Sequence, residues 1–195
     1  MITRDPSASP TRIRFGSRPV IATGFVKRQE QDELFEAVFT RAEPRTVLTG
    51  MRGSGKTQLA AAVATRCEEE DWPLVAWIHA TSRKEILAGL YELALRIGID
   101  APKNIPLEVI VRRLLAQLRS AEAADRLFVF DNVENPDDLR DLIPEDAGVQ
   151  VLITTMHHLD WDGPGWLRLT VGAFDREQSI SLLCEHTGDT HREAA

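Results

Sequence analysis

RTVLTGMRGSGKTQLAAAVATRC, residues 45–67, decides how this chain folds. It opens as a short apolar strand, breaks at Gly50 and resumes as an alanine-rich helix. Between the two lies GMRGSGKT, Gly50–Thr57, which fits the pattern G-x-x-x-x-G-K-[ST] at every fixed position. Gly53 and Gly55 let backbone N–H groups turn inward and approach phosphate oxygens with no side chain between them. The helix that opens near Lys56 aims its unpaired N–H groups and the positive end of its dipole at the same place. On this pattern Lys56 reaches the β- and γ-phosphates and Thr57 ligates Mg2+. Gln58 adds a backbone contact near the α- or β-phosphate. Gly50, Arg52 and Ser54 complete the candidate loop. A glycine-rich turn that happens to precede a helix is the bland alternative; the strand before it and the helix after it count against that.

Downstream, RLFVFDNVENPDD (126–138) is an apolar run that climbs to Asp131. A carboxylate at the end of a buried parallel strand stands where ligands bind in open α/β sheets. It can hold Mg2+ through water opposite Thr57. Asp131 comes too early to cap the helix after Pro136, and Asn135 is the better cap. Asn132 follows Asp131; an amide can orient a water but cannot take its proton.

The rest of the chain frames these two stretches. PLVAWIHA (73–80), VQVLITT (149–155) and WLRLTV (166–171) read as further strands, each apolar almost throughout. Helical stripes alternate with them, one from Arg28 to Ala42, a second with Ser82 as N-cap and Gly98 as stop, a third after Pro106. Apolar strands alternating with helices imply a parallel sheet covered on both faces. The expected fold is a three-layer α/β phosphate-loop domain with a mostly parallel five-stranded sheet, followed by the start of a helical domain. Residues 1–22, rich in Pro, Ser and Arg, read as a linker or a surface arm, residues 23–172 as the nucleotide-binding domain, and residues 173–195 as the beginning of the helical one.

Composition narrows the function classes. The 195 residues carry 43% hydrophobic and 27% charged side chains, enough for a real core. A net charge of -7 argues against direct gripping of nucleic-acid backbones. No apolar run reaches membrane-spanning length, and MITRDPSASP has no secretory apolar core. Cys67 and Cys184 read as buried thiols in a reducing, cytoplasmic setting. His157, His158, Asp160 and Asp162 match no firm zinc template. The four tryptophans are scattered, with Trp77 expected in the core.

Four blocks in order resemble the NB-ARC nucleotide-binding domains of STAND-class NTPases: GFVKRQEQDEL, TGMRGSGKTQLA, LFVFDNVENPDDL and VLITTMHHLDW. The bacterial members that carry tetratricopeptide repeats are the nearest in pattern, and FDREQSISLLCEHTG resembles the start of the helical domain that follows. The resemblance implies ATP or ADP with Mg2+ as cofactors. It places Phe25 and Val26 against adenine and Arg28 near ribose or phosphate, although Phe25 and Val26 read almost as well as an apolar lead-in to the next helix. The chain departs from the family at Lys27, where the family has glycine, and at Asn132, where many members have a second acidic residue. It departs again at Met156, where the family's T-T-R has an arginine beside the pair that is Thr154 and Thr155 here.

Both later departures bear on hydrolysis. Asp131 and Asn132 are the candidate catalytic residues, Thr155 a candidate γ-phosphate neighbour, and Arg52 either a partial substitute for the lost arginine or a solvated side chain. The expectation is a regulatory switch that mainly holds its nucleotide, joined to the rest of a larger multidomain chain and open to nucleotide-dependent homo-oligomerisation. An active ATPase of the wider class and a P-loop phosphotransferase are the competing readings. The phosphotransferase would need a lid carrying arginines, whereas Arg112, Arg113 and Arg119 read as one solvated helix face. A scaffold that binds nothing is opposed by the intact GMRGSGKT.

Overall fold

In the computed structural model the described residues are 12–22, 28–40, 44–120, 125–145, 148–157, 161, 165–176 and 178–180. The strand ahead of the glycine-rich loop, β2 (Arg45–Thr49), lies inside a sheet of six strands. The others are β1 (Ile13–Phe15), β3 (Leu74–His79), β4 (Arg126–Val133), β5 (Val149–Thr155) and β6 (Trp166–Thr170). Their spatial order is β1-β3-β4-β5-β2-β6, and every pairing is parallel. The C-terminal ends of β2 and β4 therefore open on the same edge of the sheet, with β5 between them.

Alternation along the strands builds two cores. Ala76, Ile78, Phe128, Phe130, Val151 and Ile153 face α3 (Arg83–Arg96) and α4 (Leu107–Ser120). Their neighbours Val75, Trp77, Leu127, Val129 and Leu152 face α1 (Gln29–Thr40) and α2 (Lys56–Glu69) on the opposite side. Successive side chains of a strand point to opposite faces, so strands apolar at every position are what a sheet covered twice requires. Phe128 and Phe130 are fully buried, each stabilising the fold by about 2–3 kcal/mol in transfer free energy.

The expected punctuation is present. The hydroxyl of Ser82 accepts from the N–H of Glu85 at the start of α3, and Gly98 takes a φ of 89° just past its end. Asn135 accepts from the N–H of Asp137 and caps a single 3-10 turn, Pro136–Leu139. Near the C-terminus of the described part, Asp175 accepts from the N–H of Gln178 at 2.7 Å, while the Gln178 side chain accepts from the N–H of Asp175 at 3.1 Å. This reciprocal cap opens a helix whose positions 176 and 178–180 are described.

The sheet departs from expectation in one strand. Ile13–Phe15 lies within the stretch read as a linker or surface arm, yet it adds a sixth strand at the edge, parallel to β3. Three residues are too few for a period to show in the sequence. Contacts distant in the chain hold the strand. Arg14 donates to the Trp72 carbonyl at 2.7 Å, and Arg18 pairs with Glu68 at the same distance. Farther along, the N–H of Ala22 donates to the Gln58 side chain.

The tryptophans are not all scattered either. Trp161 and Trp166, five residues apart in sequence, pack with ring centroids 5.0 Å apart, while Trp77 is buried in β3 as expected. Cys67 is fully buried in α2, and burial among apolar neighbours pushes its thiol pKa up, so it is an inert packing group. Cys184 lies outside the described residues.

Candidate functional site

The loop between β2 and α2 is shaped by glycines at three positions. Gly50, at φ 144°, is closed in: a Cβ there would lie 2.3 Å from the Val171 carbonyl oxygen. Gly53 is the opposite case, because at φ 80° a Cβ would meet nothing within 4 Å. Its demand is conformational, and the space over it is open for a ligand. Gly55 caps α2 at φ 93°, with no side-chain hydrogen bond to the first turn. The first N–H groups of α2 thus have no side-chain partner, the condition under which a helix start attracts an anion.

Lys56 is largely buried and folds back over the loop, its Nζ donating to the carbonyls of Gly50 at 2.9 Å and Met51 at 2.8 Å. Burial lowers its pKa, and the Asp131 carboxylate pulls it back up. Ser54 is buried too, and its Oγ has no hydrogen-bond partner among the described residues. A buried hydroxyl left unpaired is unusual; together with the open space at Gly53 it fits a loop that completes its hydrogen bonds on a phosphate. Arg52 is exposed. The side chain of Gln58 binds the N-terminal arm at Ala22.

Across the sheet edge, Asp131 is 7% exposed at the end of β4. Its Oδ1 accepts from Thr57 Oγ1 at 2.9 Å and from Thr154 Oγ1 at 2.6 Å. A hydroxyl and a carboxylate in direct contact form the oxygen donor set that suits Mg2+. The structure thereby brings together Lys56, Thr57 and Asp131, which stand far apart in the sequence. Asn132 follows in left-handed backbone at φ 63°, where β4 and β5 slip out of register between Phe130 and Val133. Asparagine tolerates that conformation better than most residues.

Thr155 is buried at the end of β5. Its hydroxyl donates to the Val133 carbonyl at 2.7 Å and accepts from the N–H of His157 at 3.1 Å, so it holds the strand end. The threonine that reaches Asp131 is the preceding one, Thr154, which the sequence pattern did not single out. Met156 and Glu134 are exposed.

On the other flank, Arg28 is 6% exposed beside the loop; a Cβ at Gly55 would lie 3.4 Å from its Nη2. Its Nη1 donates to the Gly172 carbonyl at 3.1 Å, and the guanidinium lies 3.8 Å from the ring centre of Phe174. Burial lowers its pKa against the raising pull of Glu30 and Asp175. Phe25 and Val26 lie outside the described residues, as do His158, Asp160 and Asp162. Among the described residues no group of three His, Cys, Asp or Glu side chains could hold a metal ion, and no helix is long and apolar enough to cross a membrane.

Solved structures share this fold. The STAND protein with a tetratricopeptide repeat sensor from Pyrococcus horikoshii aligns over 96% of this chain and 28% of its own, at 16% identity and a TM-score of 0.55. Cdc6p from Pyrobaculum aerophilum aligns over 88% of this chain and 52% of its own, at 16% identity and a TM-score of 0.66. The chain thus has an α/β P-loop ATPase-like fold.

The sequence likeness of this P-loop domain points the same way. It is 26% identical over 158 residues to the Arabidopsis thaliana protein named "Putative disease resistance protein At4g19050", which supports the NB-ARC-like reading. That stretch covers 71% of this chain and 13% of the plant protein. No family model matches the chain. The P-loop domain therefore corresponds to a small part of the plant protein and about a quarter of the archaeal STAND protein.

Proposed function

We propose that this domain is an ATP- or ADP-binding switch module of a signalling or transcription-regulating STAND protein, and that it hydrolyses ATP slowly. The observation that carries the reading is the split character of one site. The loop side is complete, with Lys56 over the loop, an unpartnered Ser54 Oγ and Thr57 against Asp131. The side that would perform hydrolysis has an amide at Asn132 and an exposed thioether at Met156. Gly50, Arg52, Gly53, Ser54, Gly55, Lys56, Thr57 and Gln58 would surround the phosphates. Thr57 and Asp131 would hold Mg2+, which neutralises charge on the phosphate oxygens. Arg28 would face ribose or phosphate, with Phe25 and Val26 against adenine.

Without a carboxylate beside Asp131 or an arginine after Thr155, a bound water is oriented but not deprotonated, and charge on the transferring phosphoryl group is less well met. A bound nucleotide then persists long enough to bias how a following helical domain packs. Residues 173–195 are proposed as the beginning of that domain, and the cytoplasm as its place of action. Oligomerisation on ATP exchange belongs to the same proposal.

A second reading, an active ATPase, draws on the TM-score of 0.66 with Cdc6p. One experiment separates the two. Nucleotide carried through purification is identified, and single-turnover hydrolysis is followed for wild type and Lys56→Ala. Bound ADP or ATP that disappears in Lys56→Ala, with turnover over many minutes, is the expected result. Turnover of wild type within seconds would replace the switch with an active ATPase, and a nucleotide-free wild type that binds none would remove both.

A further inference from the structure

Thr154 is one of the most buried polar residues of the sheet, 1% exposed at the end of β5. Its single hydroxyl is used twice. It donates to Asp131 Oδ1 at 2.6 Å, and it accepts from the N–H of Asn132 at 2.8 Å. One oxygen therefore holds the carboxylate of Asp131 and the left-handed backbone of the next residue. Asn132 uses such an anchor because the register slip between Phe130 and Val133 lifts its partly buried N–H out of the strand ladder, and an N–H turned away from water without a partner is costly.

We propose that Thr154 is a positioning residue for the metal side of this site. It fixes the rotation of the Asp131 carboxylate, so that the face turned to Thr57 stays available to Mg2+, and it sets the direction in which Asn132 leaves the strand. The geometry distinguishes it from Thr155, whose hydroxyl is spent on Val133 and His157. Both Thr57 and Thr154 donate to Oδ1. When Thr57 turns its oxygen to a cation, Thr154 remains as the donor that keeps the buried carboxylate in place. Valine has nearly the same shape but no donor, so Thr154→Val would leave Asp131 free to rotate and the Asn132 N–H unpaired. Serine would restore both hydrogen bonds.

This assignment rests on the nucleotide-binding reading, and its test separates the two. Binding of a fluorescent ATP analogue is titrated with Mg2+ and, separately, with EDTA, for wild type, Thr154→Val and Thr154→Ser. Wild type is expected to bind more tightly with Mg2+. Thr154→Val should lose roughly tenfold of that Mg2+-dependent gain, in line with the effect of groups that orient metal ligands. Its affinity in EDTA should stay within about twofold of wild type, because the phosphate loop is untouched. Thr154→Ser should recover the gain. Equal losses with Mg2+ and EDTA, or a valine variant that keeps the full gain, would overturn the positioning role. Failure of Thr154→Ser to recover would do the same, since the hydroxyl would not be what matters. A wild type that binds in neither buffer would overturn the nucleotide reading and this assignment with it.

Discussion

The two sides of the candidate site are built on different principles. On the loop side, function is written into backbone: Gly50, Gly53 and Gly55 all have positive φ, and the groups that would meet a phosphate are main-chain N–H groups, Lys56 and the unpartnered Ser54. On the strand side, function depends on which side chain stands at the ends of β4 and β5, and there the chain has Asn132 and Met156. Backbone geometry cannot be lost one residue at a time without disturbing the fold. A strand-end side chain can change with little structural effect. On the proposed function, that difference is how a chain would keep nucleotide binding while losing hydrolysis, and it suggests where the contrast can be broken.

The largest effect should come from the strand side. Asn132→Asp keeps the left-handed backbone, because aspartate also tolerates it, and supplies a proton acceptor next to Asp131. Combined with Met156→Arg, it should raise single-turnover hydrolysis by about a hundredfold or more, since a placed general base alone contributes about 100- to 10,000-fold elsewhere. Nucleotide affinity should change little. The measurement is phosphate release from preloaded protein. An unchanged rate would show that the slow step lies outside these two side chains.

A smaller effect should separate the loop's structural glycine from its ligand glycine. Gly50→Ala forces a methyl group to within 2.3 Å of the Val171 carbonyl in a conformation already unfavourable to side chains. It should lower unfolding stability by roughly 2–3 kcal/mol, the range for strained, overpacked positions. Gly53→Ala meets no protein atom and should cost about 1 kcal/mol of backbone strain, yet weaken nucleotide binding more than Gly50→Ala does relative to its stability loss. Urea unfolding and analogue titration on the two variants provide both readings. If they weaken binding in proportion to stability, the loop acts as one rigid unit and Gly53 has no separate role.

How far the sequence carried this reading follows the same division. The strand, loop and helix around GMRGSGKT were legible because its glycines and the flanking apolar runs stand at fixed local spacing. The strands were legible because burial on both faces demands apolar residues at every position. Ile13–Phe15 was not, since its hold on the sheet comes from Arg14 and Arg18 reaching α2, more than fifty residues away for Arg14. Thr154, whose hydroxyl meets Asp131, was not singled out, because which threonine faces Asp131 is set by the β4–β5 register and its slip. Asn132 was read as chemistry alone; its positive φ shows that backbone conformation also favours an asparagine there. The pairing of Trp161 with Trp166 is a tertiary contact that periodicity does not encode.

The smallest effect tests the loop side most directly. Ser54 Oγ is buried without a partner among the described residues, and an unpaired buried hydroxyl destabilises a fold by about 1–3 kcal/mol relative to a satisfied one. If the loop is shaped for a phosphate rather than for its own stability, Ser54→Ala should leave the nucleotide-free protein as stable as wild type or about 1 kcal/mol more stable. The same change should weaken ATP binding by a few fold, the worth of one hydrogen bond. Stability and affinity then move in opposite directions. Two thermal-unfolding series, without nucleotide and with saturating ATP, would show ATP stabilising the variant less than wild type by up to about 1 kcal/mol. A loss of stability in both series would mean that Ser54 supports the loop itself, and the division between a ligand-shaped loop and a permissive strand end would have to be redrawn.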